Sequence, residues 1–301
     1  MLDFGVLGVT RPRFLVLTPV CVLVGIAVAV AGDAHVDWIA AALALAGALA
    51  AHVSVHALNE HDDFVSGLDL RTERTPFSGG SGTLVARPEL VGQARLLGLA
   101  AFALTALCGL ILLGRAGWAL VPIGGVGLAL VYFYTREINR LRWLCLIAPG
   151  LGFGPLMVVG TYYAVTGAWS WSAAVASLVP FFQVSNLLLL NQFPDVEADR
   201  SIGRNHLPIA LGLGHSLRVY RLFALLAYVG LGLGVLLDLL PPGAMIALVT
   251  LPLALLVAAG VERAIAPGSS PVPGILPSMG LNVVLTLVTP ALLSLGTLLG
   301  A

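Results

Sequence analysis

The stretch Ser172-Ala-Ala-Val-Ala-Ser-Leu-Val-Pro-Phe-Phe-Gln-Val-Ser-Asn-Leu-Leu-Leu-Leu-Asn191-Gln-Phe-Pro-Asp195-Val-Glu-Ala-Asp199-Arg200-Ser-Ile-Gly-Arg204 decides how this chain folds. Residues 172–193 carry no charge. As a helix they are long enough to cross a ~30 Å hydrocarbon core, which takes about 17–25 residues. Directly afterwards, three acids and two arginines crowd into residues 195–204. An apolar helix that runs abruptly into charge reads as a membrane span meeting water.

Working outward from it, nine such apolar stretches appear, at about 14–32, 36–58, 90–113, 117–134, 143–165, 172–193, 217–239, 243–260 and 274–299. Their Gly, Ala and Leu content suits helices packed closely in lipid, whereas a β-barrel would show alternating ten-residue strands. The expected fold is all-α and polytopic, one transmembrane bundle forming a single domain over residues 1–301. Composition agrees: 58% of residues are hydrophobic and 10% charged, with a mean hydropathy of +0.99, against roughly 25% charged in soluble domains. Net charge is zero and no basic tail exists, which argues against a nucleic-acid partner. Cys21, Cys108 and Cys145 sit in apolar runs without a CxxC pair, so they read as small core hydrophobes. The first apolar run follows Arg11 and Arg13 as a signal peptide would; with further spans behind it, it reads as a retained helix.

Every one of the 15 basic residues is an arginine, and 14 of them fall in, or just beside, alternate loops. Only Arg115 lies on the opposite side. The positive-inside rule then places the N-terminus and the acidic loops in the cytoplasm, in a cell membrane, and the C-terminus outside.

Two cytoplasmic windows stand apart. Asn59-Glu-His-Asp-Asp63-Phe-Val-Ser-Gly67-Leu-Asp69-Leu-Arg71-Thr-Glu-Arg74 and Asn191 to Arg204 make up 30 of 301 residues, yet hold eight of the 15 acids. Both begin Asn-x-x-x-Asp. Asn59 and Asp63 share a helix face, and Asn191, Asp195 and Asp199 can do the same at i, i+4 and i+8. Asp69 lies past Gly67, where the helix is expected to break. The windows suggest a pseudo-repeated half-site. A diphosphate would be repelled by bare carboxylates, but Mg2+ takes hard oxygen ligands and bridges carboxylates to phosphates. Two half-sites can thus clamp one diphosphate and stabilise charge on a leaving group, with arginines adding charge-assisted hydrogen bonds. The bland alternative, two solvated salt-bridged loops, leaves the repeated spacing unexplained.

These windows resemble the two aspartate-rich motifs of the UbiA superfamily of intramembrane prenyltransferases. Asn59-Glu-x-x-Asp63-x-x-x-Gly67-x-Asp69 is similar to the first motif of its dihydroxynaphthoate branch, and Asn191-x-x-x-Asp195-x-x-x-Asp199-Arg200-x-x-Gly203-Arg204 to the second. Tyr132-Phe-Tyr134-Thr135, Gly154-Pro155-Leu156 and Gly160-Thr161-Tyr162-Tyr163 also resemble that branch. Glu60, Gln192, Pro194 and His206 depart from the usual pattern. The resemblance implies nine helices around a central cavity open to lipid, with Mg2+ held by Asn59, Asp63, Asp69, Asn191, Asp195 and Asp199. It implies Arg74, Arg140 and Arg204 on the diphosphate, Tyr134 and Tyr162 in the substrate pocket, and Asp63, Asp195 and Arg140 as catalytic. The implied reaction transfers a polyprenyl group from its diphosphate to an aromatic quinone precursor, 1,4-dihydroxy-2-naphthoate of menaquinone synthesis, with 4-hydroxybenzoate the alternative. A secondary transporter is the rival from another class, since carboxylates and repeats occur there too; transporters, however, place their acids near the midplane.

Lesser features have two readings each. Pro76-Phe-Ser-Gly-Gly-Ser-Gly82 is either a phosphate-facing N–H loop or a flexible connection. His52 and His56, four apart, are a metal pair or, more simply, a histidine pair hydrogen-bonded inside the bundle. Arg140 serves as a diphosphate ligand or as a topogenic charge, and Tyr162 as a pocket wall or an interfacial anchor.

Overall fold

The computed structural model describes residues 5–266 and 271–300, and among these it contains helices and no strand. Apart from short helical turns at Gly5–Thr10, Thr83–Ala86 and Ile138–Arg140, the helices in chain order are α1 (Leu17–Ala31), α2 (Trp38–Val65), α3 (Pro88–Ala116), α4 (Leu120–Phe133), α5 (Arg142–Thr166), α6 (Trp171–Asn191), the short α7 (Val196–Ser201), α8 (Leu207–Leu236), α9 (Pro242–Ala264) and α10 (Pro271–Leu299). Each expected apolar stretch is helical. Seven of these helices are long and apolar enough to cross a membrane; α1 and α4, with 15 and 14 residues, are shorter. At 1.5 Å per residue those two rise only about 21–23 Å, less than a full hydrocarbon core.

Helix ends differ from the hydropathy reading in ways that matter. Helix α2 continues to Val65 rather than stopping at 58, so Asn59 and Asp63 lie on a formed helix. Helix α8 begins at Leu207 and is broken at Gly212, with φ 78° and ψ 166°. Helix α5 carries Pro149 and Pro155 and passes through wide π turns over Gly152–Val159. Proline removes an N–H and crowds the preceding turn, and the ladder slips to the next carbonyl instead of ending.

Close crossings hold the bundle. A Cβ on Gly150 would lie 2.2 Å from the Phe181 carbonyl oxygen, and one on Gly154 would lie 2.6 Å from that of Ser177. Here α5 and α6 meet backbone to backbone, the contact that small residues permit in lipid. The largest apolar cluster joins α6, α8, α9 and α10 through Leu190, Tyr220, Val257 and Met279. All three cysteines are buried and free, as their apolar settings implied.

Loops gather at two ends. At one, Asp37 caps α2 and is bound by the Arg115 guanidinium at 2.6 Å, while its N–H donates to the Val165 carbonyl. The lone arginine of that end is thus paired. At the other, the segments before α1, after α2, between α4 and α5 and after α6 converge.

Candidate active site

That second end holds a polar pocket of about 110 Å³ lined by Asn59, Asp63, Asp69, Asn191, Asp195 and Asp199 together with Arg11, Tyr134, Arg204 and His206. All six carboxylate and amide ligands expected from the sequence therefore meet in one place. Helix α2 carries Asn59 and Asp63 one turn apart, and the Asn59 amide donates to Asp63 at 3.0 Å and to the Thr135 hydroxyl at 3.2 Å. Gly67 then turns the chain at φ +76°, and the N–H groups of Leu68 and Asp69 fold back on the Asp63 carbonyl. The expected break before Asp69 is present.

The second window departs from expectation. Asn191, Asp195 and Asp199 do not share one continuous helical face, because α6 stops at Asn191 and α7 begins only at Val196. Pro194 explains this: it offers no N–H and disfavours helical backbone at Phe193. Asp195 sits in the turn, and the Asp199 N–H donates to its carbonyl at 2.8 Å.

Arg204 joins the two windows. Its guanidinium pairs with Asp63 on α2 and with Asp199 on α7, the latter at 2.7 Å. His206 holds the other Asp199 oxygen at 2.8 Å. Arg11 reaches in from before α1, donating to Glu60 at 2.7 Å and to Asn59 at 3.2 Å. Glu60 is fully buried and also accepts from the Ser81 N–H and hydroxyl, both at 2.7 Å. The glycine-rich loop thus folds over the pocket and spends at least one N–H on a carboxylate. A Cβ on Gly80, at φ +74°, would come within 3.2 Å of Asp69 and 3.3 Å of Glu60.

Several oxygens in the pocket remain unused. Asp69 Oδ2, Asn191 Oδ1 and Asp195 Oδ1 are buried without a hydrogen-bond partner. Burial, with the Asp63 and Glu60 charges beside it, pushes the Asp69 carboxyl up to about 7. Burial, with Asp199 beside it, pushes Asp195 up to about 7 as well. Four aspartates line the pocket against two arginines, and Arg11 is already engaged by Glu60. Buried oxygens without partners and a deficit of positive charge fit hard cations. Among the described residues no three His, Cys, Asp or Glu side chains chelate one ion by themselves. Magnesium does not require such a cluster, since it keeps waters and completes its shell with substrate phosphate beside one or two carboxylates.

Below the polar pocket lies an apolar cavity of about 620 Å³, and the two share Arg11, Asn59, Phe77, Tyr134, Leu188 and Asn191. His52 and His56 line this cavity with rings 4.4 Å apart. They bond to the Thr18 hydroxyl and the Thr10 carbonyl, each at 2.8 Å, and so form the hydrogen-bonded pair rather than a metal site.

Not every expected residue converges. Arg140 is exposed and lines neither cavity, nor does Arg74, whose side chain lies over the Ser81 carbonyl at 3.5 Å. Tyr162 packs with Ala164 and Val165 toward the opposite end and lines neither space. Arg11, Asn139, Gln192 and His206 line the polar pocket as well, and Glu60 lies behind it, holding Arg11; the sequence marked Glu60, Gln192 and His206 only as departures from the usual pattern and gave Arg11 and Asn139 no role in the site. Arg11 carried a signal: an arginine directly before the first span, held at a positive φ of 48°, a conformation that costs energy for a side-chain-bearing residue. The sequence alone shows the position but not the strain.

A family model described as the UbiA prenyltransferase family matches residues 18–270. The chain belongs to that family. Similar proteins include the 1,4-dihydroxy-2-naphthoate octaprenyltransferase of Mycobacterium tuberculosis, 30% identical over 239 residues, covering 76% of this chain and 79% of that one. The protein of the same name from Bacillus subtilis is 28% identical over 206 residues, covering 67% of this chain and 64% of its own length, just under two thirds. Among solved structures, an apo UbiA homologue from Aeropyrum pernix superposes with a TM-score of 0.71 at 19% identity, covering 93% of this chain and 96% of that one. A UbiA homologue from Archaeoglobus fulgidus bound to GPP and Mg2+ superposes at 0.65 and 14% identity, covering 96% and 99%. At such identities the structural likeness speaks for the fold.

Proposed function

We propose that this protein transfers a polyprenyl group from a polyprenyl diphosphate to an aromatic acceptor, 1,4-dihydroxy-2-naphthoate, at the cytoplasmic face of a cell membrane. The observation that carries the reading is the meeting of the two acidic windows through Arg204 directly above an apolar cavity. A substrate with an anionic head and a long hydrocarbon tail matches that division. Family membership and the names of the relatives point the same way.

Asn59, Asp63, Asp69, Asn191, Asp195 and Asp199 are the residues that would hold magnesium. When bound there it would neutralise charge gathering on the leaving diphosphate. Arg204, whose Nε is buried without a partner, would add a charge-assisted hydrogen bond to the diphosphate, and Arg11 stands beside it, held by Glu60 and Asn59. The C1–O bond of the prenyl chain breaks and its electron pair leaves with the diphosphate; an electron-rich ring carbon of the acceptor forms the new bond and then loses its own substituent, a proton or a carboxylate released as carbon dioxide, which restores the aromatic ring. Tyr134 and Phe77, shared by both spaces, stand where the head joins the tail. The apolar walls keep water from the allylic cation, which it would quench. The nine-crossing bundle and its central cavity belong to this proposal as well.

Purified protein with magnesium and geranylgeranyl diphosphate is expected to prenylate 1,4-dihydroxy-2-naphthoate faster than 4-hydroxybenzoate, and excess chelator is expected to stop it reversibly. The reverse preference would move the acceptor to the benzoate class. Undiminished turnover in chelator would overturn the metal reading.

A further inference from the structure

We infer that His206 is a positioning residue which, through Asp199, fixes Arg204 across the two acidic windows. This deepens the proposed function and rests on it. His206 is 2% exposed and Asp199 3% exposed, so neither is free to reorient in water. His206 directly precedes α8, and its backbone is tied to the α4–α5 connection: the Asn205 N–H donates to the Asn139 carbonyl at 3.1 Å, and His206 pairs with Arg142 in a single β-bridge. The backbone that carries the ring is therefore anchored to the α4–α5 connection, outside both acidic windows, and the ring's one hydrogen bond is to Asp199, its Nδ1 being buried without a partner.

From that anchor Nε2 reaches Asp199 Oδ2 at 2.8 Å, while Oδ1 of the same carboxylate accepts from Arg204 at 2.7 Å. With a carboxylate as partner, Nε2 carries the proton and donates. Both Asp199 oxygens are thus held in fixed directions. Arg204 in turn has one nitrogen on Asp199 and the other on Asp63. The order His206, Asp199, Arg204, Asp63 is one unbroken hydrogen-bonded line from the start of α8 to α2. Without the His206 donor, Asp199 is held only by the guanidinium it must orient. Rotation of Asp199 would release Arg204 and loosen the Asp63 side of the pocket. Groups that orient metal-site carboxylates in this way typically change metal affinity about 10–100-fold when removed.

The test uses the purified full-length protein and Mn2+ as a spectroscopic probe, read by electron-paramagnetic resonance as the ion retained by the protein in the presence of inorganic diphosphate after unbound ion is removed, alongside KM for geranylgeranyl diphosphate. His206→Leu keeps volume and removes the donor; His206→Ala serves the same arm should the leucine variant fail to fold. His206→Gln returns an N–H at nearly the same reach. Weakening of Mn2+ binding by tenfold or more in the donor-less variant, with His206→Gln within about threefold of the native chain, is the expected result, with KM moving in parallel. Native binding in the donor-less variant, or equal loss in His206→Gln, would overturn the positioning role. Absence of Mn2+ binding in the native protein would instead overturn the metal-dependent reading beneath it.

Discussion

Asp63 and Asp195 occupy one pocket, yet the surroundings make their removal different experiments. Asp63 is paired with Arg204, whose side chain is 13% exposed, so Asp63→Ala strands a buried guanidinium on that side. Breaking one half of a buried pair costs about 3–5 kcal/mol when the remaining charge has no other partner; Arg204 keeps Asp199, so the cost here is smaller. Asp195 has one oxygen without a partner and otherwise bonds the Ser78 hydroxyl and the Gly79 N–H, so its loss strands no charged group. Both substitutions are expected to reduce prenyl transfer to background, but thermal melting should fall further for Asp63→Ala than for Asp195→Ala. Equal melting of the two would contradict the pairing described. The carboxyls of Asp69 and Asp195, both pushed up to about 7 by burial, add a pH prediction. An acid raised in the fold binds its proton more tightly folded than unfolded, so the metal-free protein gains relative stability on protonation and loses it as pH rises through about 7. Cations must displace those protons. Mg2+ affinity should therefore rise with pH, about tenfold between pH 6 and pH 8 for one proton displaced, and level off above. An affinity flat across that range would contradict the buried carboxyls.

At the scale of elements, the α5–α6 crossing is one of the contacts that tolerate little change. Gly154→Val would drive a branched side chain against the Ser177 carbonyl and the Phe181 backbone, where even a Cβ is 2.6–2.8 Å away. Overpacking of a formed core costs about 1–3 kcal/mol, and here backbone rather than a flexible side chain must yield. The variant should lose folded, detergent-stable protein by size-exclusion chromatography, whereas substitution at Gly152, with open space beside it, should not. Hydropathy made the apolar helices and their order legible, and the repeated Asn-x-x-x-Asp made six pocket residues legible. Hydropathy places the first acidic loop at 59, although α2 runs to Val65, because residues 59–63 are charged only at a helix end that the fold covers. The break between Asn191 and Asp195 had a local cause in Pro194, outweighed in the reading by the regular spacing. Glu60 was hidden for a different reason. Its partners Arg11 and Ser81 stand 49 and 21 residues away, and no local pattern announces such pairs. Arg140 shows the converse: a plausible position in sequence whose side chain the fold leaves exposed.

For the whole molecule, the charge-based orientation and the folded loops can be tested together. The polar pocket draws on residues from 11, 59–80, 134–139 and 188–206, so those loops must share one face whatever their charge. At the other end Asp37, Arg115 and Val165 bring three different loops together, and the exposed Trp38, Trp118, Trp169 and Trp171 cluster in the same loops and helix starts, as aromatic side chains do at a membrane interface. Fourteen arginines against one are the basis on which we propose that the pocket end faces the cytoplasm. Single cysteines replacing Ser66 and Ser201, both exposed beside the acidic windows, should then resist an impermeant thiol reagent in intact cells and label after permeabilisation. A cysteine replacing Ala168 should label without it. Ala168 is preferred to Gly167, whose φ of +71° a side chain would strain. The native Cys21, Cys108 and Cys145 are buried and can be replaced beforehand by small residues. Labelling of position 66 or 201 from outside would invert the orientation and put the pocket on the wrong side for a cytoplasmic diphosphate. Labelling of only one of the two from outside would contradict the shared face itself, and with it the joining of the windows through Arg204.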